Sequence, residues 1–474
     1  MVATSVVETD ISKIHALFEL QKANHRNVAK TTAKERIRKL RKFQKTLMKY
    51  RPEIKEAMWK EYRKPAAEVD LTEIFPLTSE IKHTCSNLRI WMRDEAVDTP
   101  LSLFGSSSWI RYEAKGMCLI ISPWNYPMQL GFGPLISAVA AGNTAIIKPS
   151  EAMPHTSAVM RKIIAEVFDE NEVVVVEGAV ETATSLLDLP FSHIFFTGAP
   201  SIGKIVMAAA AKNLASVTLE LGGKSPTIID ETANIGGIVN RIAWAKFCNN
   251  GQICIAPDYI LVHESKKEEF IDRLQKQIVK HYGEDPSQSP DYMRIVNKRH
   301  FNRIRNYLEN TISVGGKVAF GGKMNAEENY IEPTVLTDVP MDSDVMQNEI
   351  FGPLLPIVTY KNNEEVIELI NSKEKPLALY IYSRSRKNTN YFIENTSAGG
   401  TSINMSGVHF GNMNLPFGGV NNSGIGKSHG HFGFKEFSNA RGVFKQWLPS
   451  AIEFMMPPYN NWKEKMIELT IKWF

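Results

Sequence analysis

At 474 residues the chain exceeds a single simple core, and two large domains with smaller attachments are the natural expectation. Hydrophobic residues at 43% and charged residues at 22% match a globular composition. This excludes disorder, and with no apolar run of membrane-spanning length the chain reads as soluble.

The opening residues MVATSVVETD lack a charged leader, an apolar segment and a small-residue cleavage site, so no secretory signal is read there. The cysteines at 85, 118, 248 and 254 form no cluster. Both features point to a reducing cytoplasm with neither structural disulfides nor a zinc site, where a free thiol can act as a nucleophile. From residue 12 to about 95 the pattern predicts helices, with Leu17, Leu20, Leu40, Phe43, Leu47, Ile54 and Met58 at helical spacing. The basic stretch from Lys34 to Lys64 also carries Glu35, Glu53, Glu56 and Glu61. With a net charge of only +4 it reads as a solvated helical face, not a nucleic-acid site.

Between Met117 and Gly223 the runs CLIIS, NTAIIKP, EVVVVEG, HIFFTG and SVTLELGG alternate with helical stretches such as TSAVMRKIIAEVFD. Five apolar strands with helical crossovers predict a parallel sheet covered on both faces, a Rossmann-like α/β domain with a nucleotide site at the strands' carboxyl ends. SPTIID, YILVH, LLPIVTY, LALYIYS and GTSINM predict a second α/β domain. The last stretch, PPYNNWKEKMIELTIKWF, places Trp462, Met466, Leu469 and Trp473 on one face of a short basic helix. That face suits a neighbouring subunit or a membrane surface, and the helix is too short to span a bilayer.

Four places carry chemistry. In the turn from Gly198 to Gly203 after HIFFTG, glycines and a helix N-terminus at Ser201 suit a phosphate, although such turns are often only turns. Cys254 in NNGQICIAPDY lies in a polar loop, where a thiolate adds readily to a carbonyl carbon. Asn125 in SPWNYP, in a loop stiffened by Pro123 and Pro127, can donate to a developing alkoxide or be an ordinary turn residue. Glu220 closes an apolar strand, where an unpaired carboxylate is costly and is therefore paired or functional.

SPWNYP, IIKPSE, FTGAPSIG, LELGGKSP, NNGQIC, NEIFGP and LPFGG together resemble the aldehyde dehydrogenase superfamily in order and spacing, over residues 10 to 450. The tyrosine of PWNYP, the CIAPDY run, EIFGPLLPI and GVNNSGIGKSHG resemble its class 3 and fatty aldehyde branch. The resemblance implies Cys254 as the nucleophile, Glu220 as the base for deacylation, and Asn125 as an oxyanion donor. It implies Lys148 and Glu151 at the adenosine ribose, and Gly198, Ser201 and Gly203 at the phosphate turn. Trp124 is a further implied cofactor contact, Glu349 and Phe351 belong beside the nicotinamide ribose and ring, and Tyr126 at the base of a substrate funnel. Glu349 is a second candidate base, and His429 matches a class 3 histidine but is left outside the catalytic set.

The implied reaction is oxidation of medium- or long-chain aliphatic, or aromatic, aldehydes with NAD, or NADP as the alternative, through a Cys254 thioester. A CoA-acylating enzyme and a non-catalytic binding protein on the same fold remain as alternatives. Ala199 and Pro200 stand where many relatives have serine after the first glycine of the turn, and Asn421 stands where class 3 relatives often have glycine. The implied organisation is a cofactor domain from residues 1–84 and 111–220, and a catalytic domain from 221–415. Residues 85–110 and 416–474 are expected to bridge a homodimer, with peripheral membrane contact through the last helix as a further expectation.

Overall fold

The computed structural model describes residues 8–473. Residues 1–7, part of the segment read as lacking a leader, and residue 474 lie outside the described residues. The helical preface is present as Ile11–Ala29, Ala33–Tyr62 and Phe75–Trp91. Each start has a local cause. Asp10 accepts from the Ser12 amide, and Thr32 and Glu35 form a reciprocal capping box, which satisfies amides that a helix start leaves unpaired. Leu17, Leu40, Phe43, Leu47, Ile54 and Met58 turn inward as expected, whereas Leu20 faces solvent at 44% exposure.

The first large sheet contains the five expected strands in parallel, in the spatial order Ser216–Glu220, His193–Thr197, Met117–Ile121, Thr144–Lys148, Val173–Val175. Their side chains alternate between two cores. Cys118 and Ile120 face Phe43, Leu135 and Ile163, while Leu119 and Ile121 face Leu17, Phe18 and Val206. The chain runs from the central strand Met117–Ile121 outward to one side, then returns to build the other. The crevice between Ile121 and Thr197 is therefore a topological switch point, where open α/β sheets hold ligands.

The second sheet has seven strands. Pro226–Ile229, Tyr259–His263, Leu354–Tyr360, Ala378–Tyr382 and Gly400–Ile403 match the expected runs. Lys317–Phe320 and Thr334–Thr337 extend it, and neither had been read as a strand. Their short, partly polar sequences carry little period-two signal. A third sheet joins Glu95–Val97, Ser106–Ala114 and Ser438–Gln446, the last two antiparallel over nine paired residues.

These elements run across the expected boundaries. The helix Phe75–Trp91 runs through the boundary at 84/85, and its Leu77, Ile81 and Leu88 belong to the first core. The strand Ser106–Ala114 lies in the third sheet across the boundary at 110/111. Within 416–474, Gly424–Ile425 pairs with the end of Ser216–Glu220, and Phe434 and Phe437 enter the first core. Tertiary packing decided these boundaries; composition gave no break there. Among the described residues no helix is long and apolar enough to cross a membrane.

Candidate active site

Cys254 follows a tight turn after the helix Ile235–Phe247. Asn249, Asn250 and Gly251 are successively left-handed, with φ of 51°, 56° and 72°, a backbone path that asparagine and glycine tolerate best. A Cβ on Gly251 would lie 2.3 Å from the carbonyl oxygen of Gly352, so this glycine seats the Cys254 loop against the EIFGP loop. Gln252 is fully buried, donates to the carbonyls of Asn249 and Arg294, and accepts from the Val296 amide at 3.0 Å.

The SPWNYP loop interlocks with this turn. Asn125 Nδ2 donates to the carbonyl of Gln252 at 3.0 Å, and Asn249 Nδ2 donates to the carbonyl of Asn125 at 3.1 Å. A primary amide has two N–H donors, so Asn125 keeps one for a further acceptor. Tyr126 is buried with Lys64 Nζ 4.0 Å from its ring centre, and Lys64 pairs with Glu73 at 3.4 Å. Glu73 in turn accepts from the Gln129 amide at the start of the helix Pro127–Ala141.

Two cavities meet at Cys254. One, of about 220 Å³, is lined by Leu71, Phe75, Trp244, Val408, Phe410 and Phe417, with Tyr126 and His429 in its wall. It is almost wholly apolar, so it excludes charged ligands and rewards hydrocarbon. The other, of about 450 Å³, lies at the switch point of the first sheet. It brings together Trp124, Asn125, Gly198, Ser201, Glu220, Cys254, Glu349 and Phe351. Trp124 and Phe351 meet edge to face at 5.4 Å. Phe351 holds a positive φ of 45°, a strained conformation kept by its surroundings.

Three of the expected cofactor residues do not line this cleft. Gly203 is buried, and a Cβ there would lie 2.8 Å from the Leu221 side chain, so it packs the helix Pro200–Lys212 on the strand end. Lys148 and Glu151 form an ion pair of 3.1 Å at the end of the neighbouring strand, beside Ile121 in register. His300, Arg303 and Tyr307 do line the cleft and were not anticipated. They sit on the helix Lys298–Ser313, whose charged sequence reads only as a solvated face.

The electrostatics of the cleft are unusual for acidic groups. Burial raises Glu220 to about 7, partly opposed by Ser428, whose Oγ donates to Oε1 at 2.7 Å, and by His429 and Lys427. Its Oε2 is buried without a protein partner. Burial likewise raises Glu349 to about 7, although the Gly223 amide donates to it at 3.1 Å. Burial first, then the nearby Glu220 and Glu349, push the Cys254 thiol up to about 12. A thiol and two carboxyl groups of perturbed acidity around one pair of cavities are the hallmark of proton-transfer chemistry.

Fold and site together are those of a nicotinamide-dependent oxidoreductase. The chain belongs to the aldehyde dehydrogenase family, whose model matches residues 2–443, and it oxidises aldehydes with NAD or NADP. It is 46% identical over 439 residues to a 4,4′-diaponeurosporen-aldehyde dehydrogenase of Staphylococcus aureus, covering 92% of this chain and 94% of that protein. It is 41% identical to aldehyde dehydrogenase family 3 member B2 of mouse, covering 94% and 92%, in agreement with the class 3 resemblance. A solved substrate-bound structure of Staphylococcus aureus AldH superimposes with a TM-score of 0.92 at 44% identity, covering 97% of this chain and 99% of that one.

Proposed function

We propose that this protein oxidises apolar aldehydes, medium- or long-chain aliphatic or aromatic, to carboxylic acids, with Cys254 as nucleophile, Asn125 as oxyanion donor and Glu220 as base. The observation that carries this reading is the meeting, at one thiol, of an apolar tunnel and a switch-point cleft that carries aromatic and charged side chains. An aldehyde entering by the tunnel reaches the sulfur from one side, and the cofactor cleft opens on the other.

The cleft's residues fit a nicotinamide cofactor. Aromatic faces at Trp124 and Phe351 and the Glu349 carboxylate lie along it, while Gly198 and Ser201 form the turn into the following helix. Bound there, the nicotinamide supplies a hydride acceptor. Glu151 carries negative charge at the neighbouring strand end, which disfavours a 2′-phosphate and so favours NAD over NADP.

The chain's own groups perform the rest. Cys254 must lose its proton to attack, and Glu349, the second carboxyl near neutrality, is suited to receive it and pass it to solvent, leaving Glu220 free for the later step. The oxyanion of the thiohemiacetal is stabilised by the free N–H of Asn125, held in place by its bond to Gln252. After hydride departure Glu220 takes a proton from water as the oxygen adds to the thioester carbon. The C–S bond breaks, and sulfur keeps the electron pair and recovers that proton.

The third sheet exposes Phe444, and Trp447 and Leu448 follow it at 62% and 55% exposure. This apolar edge supports a homodimer built across it, since exposed patches of that kind mark association surfaces. The helix Asn461–Trp473 exposes Trp462, Leu469, Ile471 and Trp473 beside Lys463, Lys465 and Lys472, which supports peripheral membrane contact.

The test is absorbance at the reduced-nicotinamide band with a series of aldehydes from short to long and aromatic, with NAD or NADP and with Cys254→Ala as control. A rise that needs Cys254, needs no CoA and grows with apolar chain length is the expected result. A requirement for CoA, or preference for short polar aldehydes, overturns the reading.

A further inference from the structure

The helix Phe75–Trp91 contributes Phe75, Pro76 and Ser79 to the aldehyde tunnel, and its next residue is Glu80, which is 2% exposed. Both oxygens of this carboxylate are engaged by one turn on the far side of the tunnel. Oε2 lies 3.0 Å from His429 Nδ1, and Oε1 accepts from the Gly430 amide at 3.3 Å. His429 stands at φ 72° and ψ 144°, a conformation that residues with a side chain scarcely adopt. Such strain persists only where the surroundings hold it, and Glu80 is the polar group that does so.

The same turn controls Glu220. Ser428, the residue before His429, donates to Glu220 Oε1 at 2.7 Å. A small chamber of about 20 Å³ behind the base is lined by Glu220, Thr197, Ser428 and His429, and Glu220 Oε2 and Thr197 Oγ1 are buried there without protein partners. This volume and these polar atoms suit a single water. His429 thus forms a wall common to the chamber and the aldehyde tunnel.

We propose that Glu80 is a positioning residue for acyl-enzyme hydrolysis, clamping the turn Ser428–Gly430 so that the Ser428 hydroxyl and the His429 ring hold Glu220 as a ready carboxylate. This rests on the reading of Glu220 as the base. The charged groups facing Glu220 are His429, Lys427, Glu436 and the Cys254 thiol; those facing His429 are Glu80 and Glu220, with His83 of the same helix near Gly430. Burial alone would keep His429 neutral, and Glu80 followed by Glu220 outweighs it, so the net shift favours the imidazolium.

The sign of each change follows from these charges. His429→Asn keeps a side chain tolerant of positive φ but removes the positive neighbour of Glu220, so Glu220 holds its proton to higher pH. Glu80→Gln keeps the shape but leaves burial to neutralise His429, with the same consequence. Hydride formation precedes hydrolysis and does not depend on this clamp.

The experiment is a pre-steady-state pH series on the full-length enzyme with a long-chain aldehyde and NAD. The burst of reduced nicotinamide reports acylation, and quenched intact mass reports loss of the acyl group from Cys254. Wild type, Glu80→Gln, His429→Asn and Glu220→Gln are compared. The expected result is a deacylation limb displaced upward by about one pH unit in the first two variants, about tenfold slower on its acid side, with the burst retained in Glu80→Gln. Glu220→Gln should trap the acyl-enzyme. If it does, and both turn variants keep the wild-type limb or lose rate equally at every pH, the proposal falls. If Glu220→Gln deacylates normally, the assignment of the base falls instead and takes the proposal with it. Loss of the burst in Glu80→Gln alone identifies a folding defect, and His429→Asn then decides the matter.

Discussion

The guanidinium of Arg303 donates to the carbonyl of Ile350 at 2.8 Å, and also to those of Glu349 and Phe351 at 3.3 and 3.2 Å. Three successive carbonyls are thus gathered by one planar fork, on the loop that presents Glu349 and Phe351 to the cleft. An ammonium cannot reproduce that geometry. Arg303→Lys is expected to raise KM for NAD about tenfold with a smaller loss in kcat, as measured by steady-state kinetics. An unchanged KM would show that Asp258, which accepts from the Ile350 amide at 2.9 Å, suffices to hold the loop.

The Cys254 thiol is pushed up to about 12, so it is protonated in the resting site at neutral pH. Labelling by iodoacetamide should therefore be slow at pH 7 and increase steadily toward pH 10. After burial, the Glu220 charge opposes the thiolate most, so Glu220→Gln should move the labelling curve to lower pH. The rate measured by mass spectrometry across the pH range checks both. A curve that moves upward in the variant would mean that the carboxylate assists the thiolate instead.

Glu220 ionises at about 7 in the folded chain against an ordinary value of 4.5, because burial penalises its charge. Between these values the unfolded chain releases a proton that the folded chain keeps, so this group lowers stability as pH rises from about 4.5 to 7. Glu220→Gln removes that loss. The expected outcome is a variant more stable than wild type by about 1–3 kcal/mol at pH 8, with the difference vanishing near pH 4.5. Thermal melts at the two pH values test it, and a larger gain at the acid end would reverse the assignment.

Deletion of residues 458–474 removes the apolar face of Trp462, Leu469 and Trp473, all more than half exposed. The truncated enzyme is expected to lose preference for long-chain over short-chain aldehydes and to sediment less with anionic vesicles. Its activity on short aldehydes should remain, because among the described residues none of this segment lines either cavity at Cys254. An unchanged chain-length profile and unchanged vesicle binding would dissociate the helix from substrate choice and from membranes alike.

Much of this protein was legible before any coordinates. Local signals such as β-branched runs, helical spacing, the Thr32–Glu35 cap and the turn after HIFFTG require only neighbouring residues, so the five parallel strands and the preface could be read directly. The residues that meet around the thiol, Asn125, Glu220, Cys254, Glu349 and Phe351, were likewise named in advance, because each lies in a recognisable motif at a strand end or loop.

What tertiary structure alone decided depends on distance along the chain. Arg303 lies on a helix that looks merely charged until it meets the carbonyls of residues 349–351. Gly203 resembles a phosphate-turn residue until Leu221 is packed against it. Glu80 and His429 are separated by 349 positions, and neither announces a partner that only folding supplies. Sequence carries the chemistry of each group and the period of each element; the raised pKa values, the shared wall of two cavities and the clamp behind the base arise only when burial and distant neighbours set the energy of each charge.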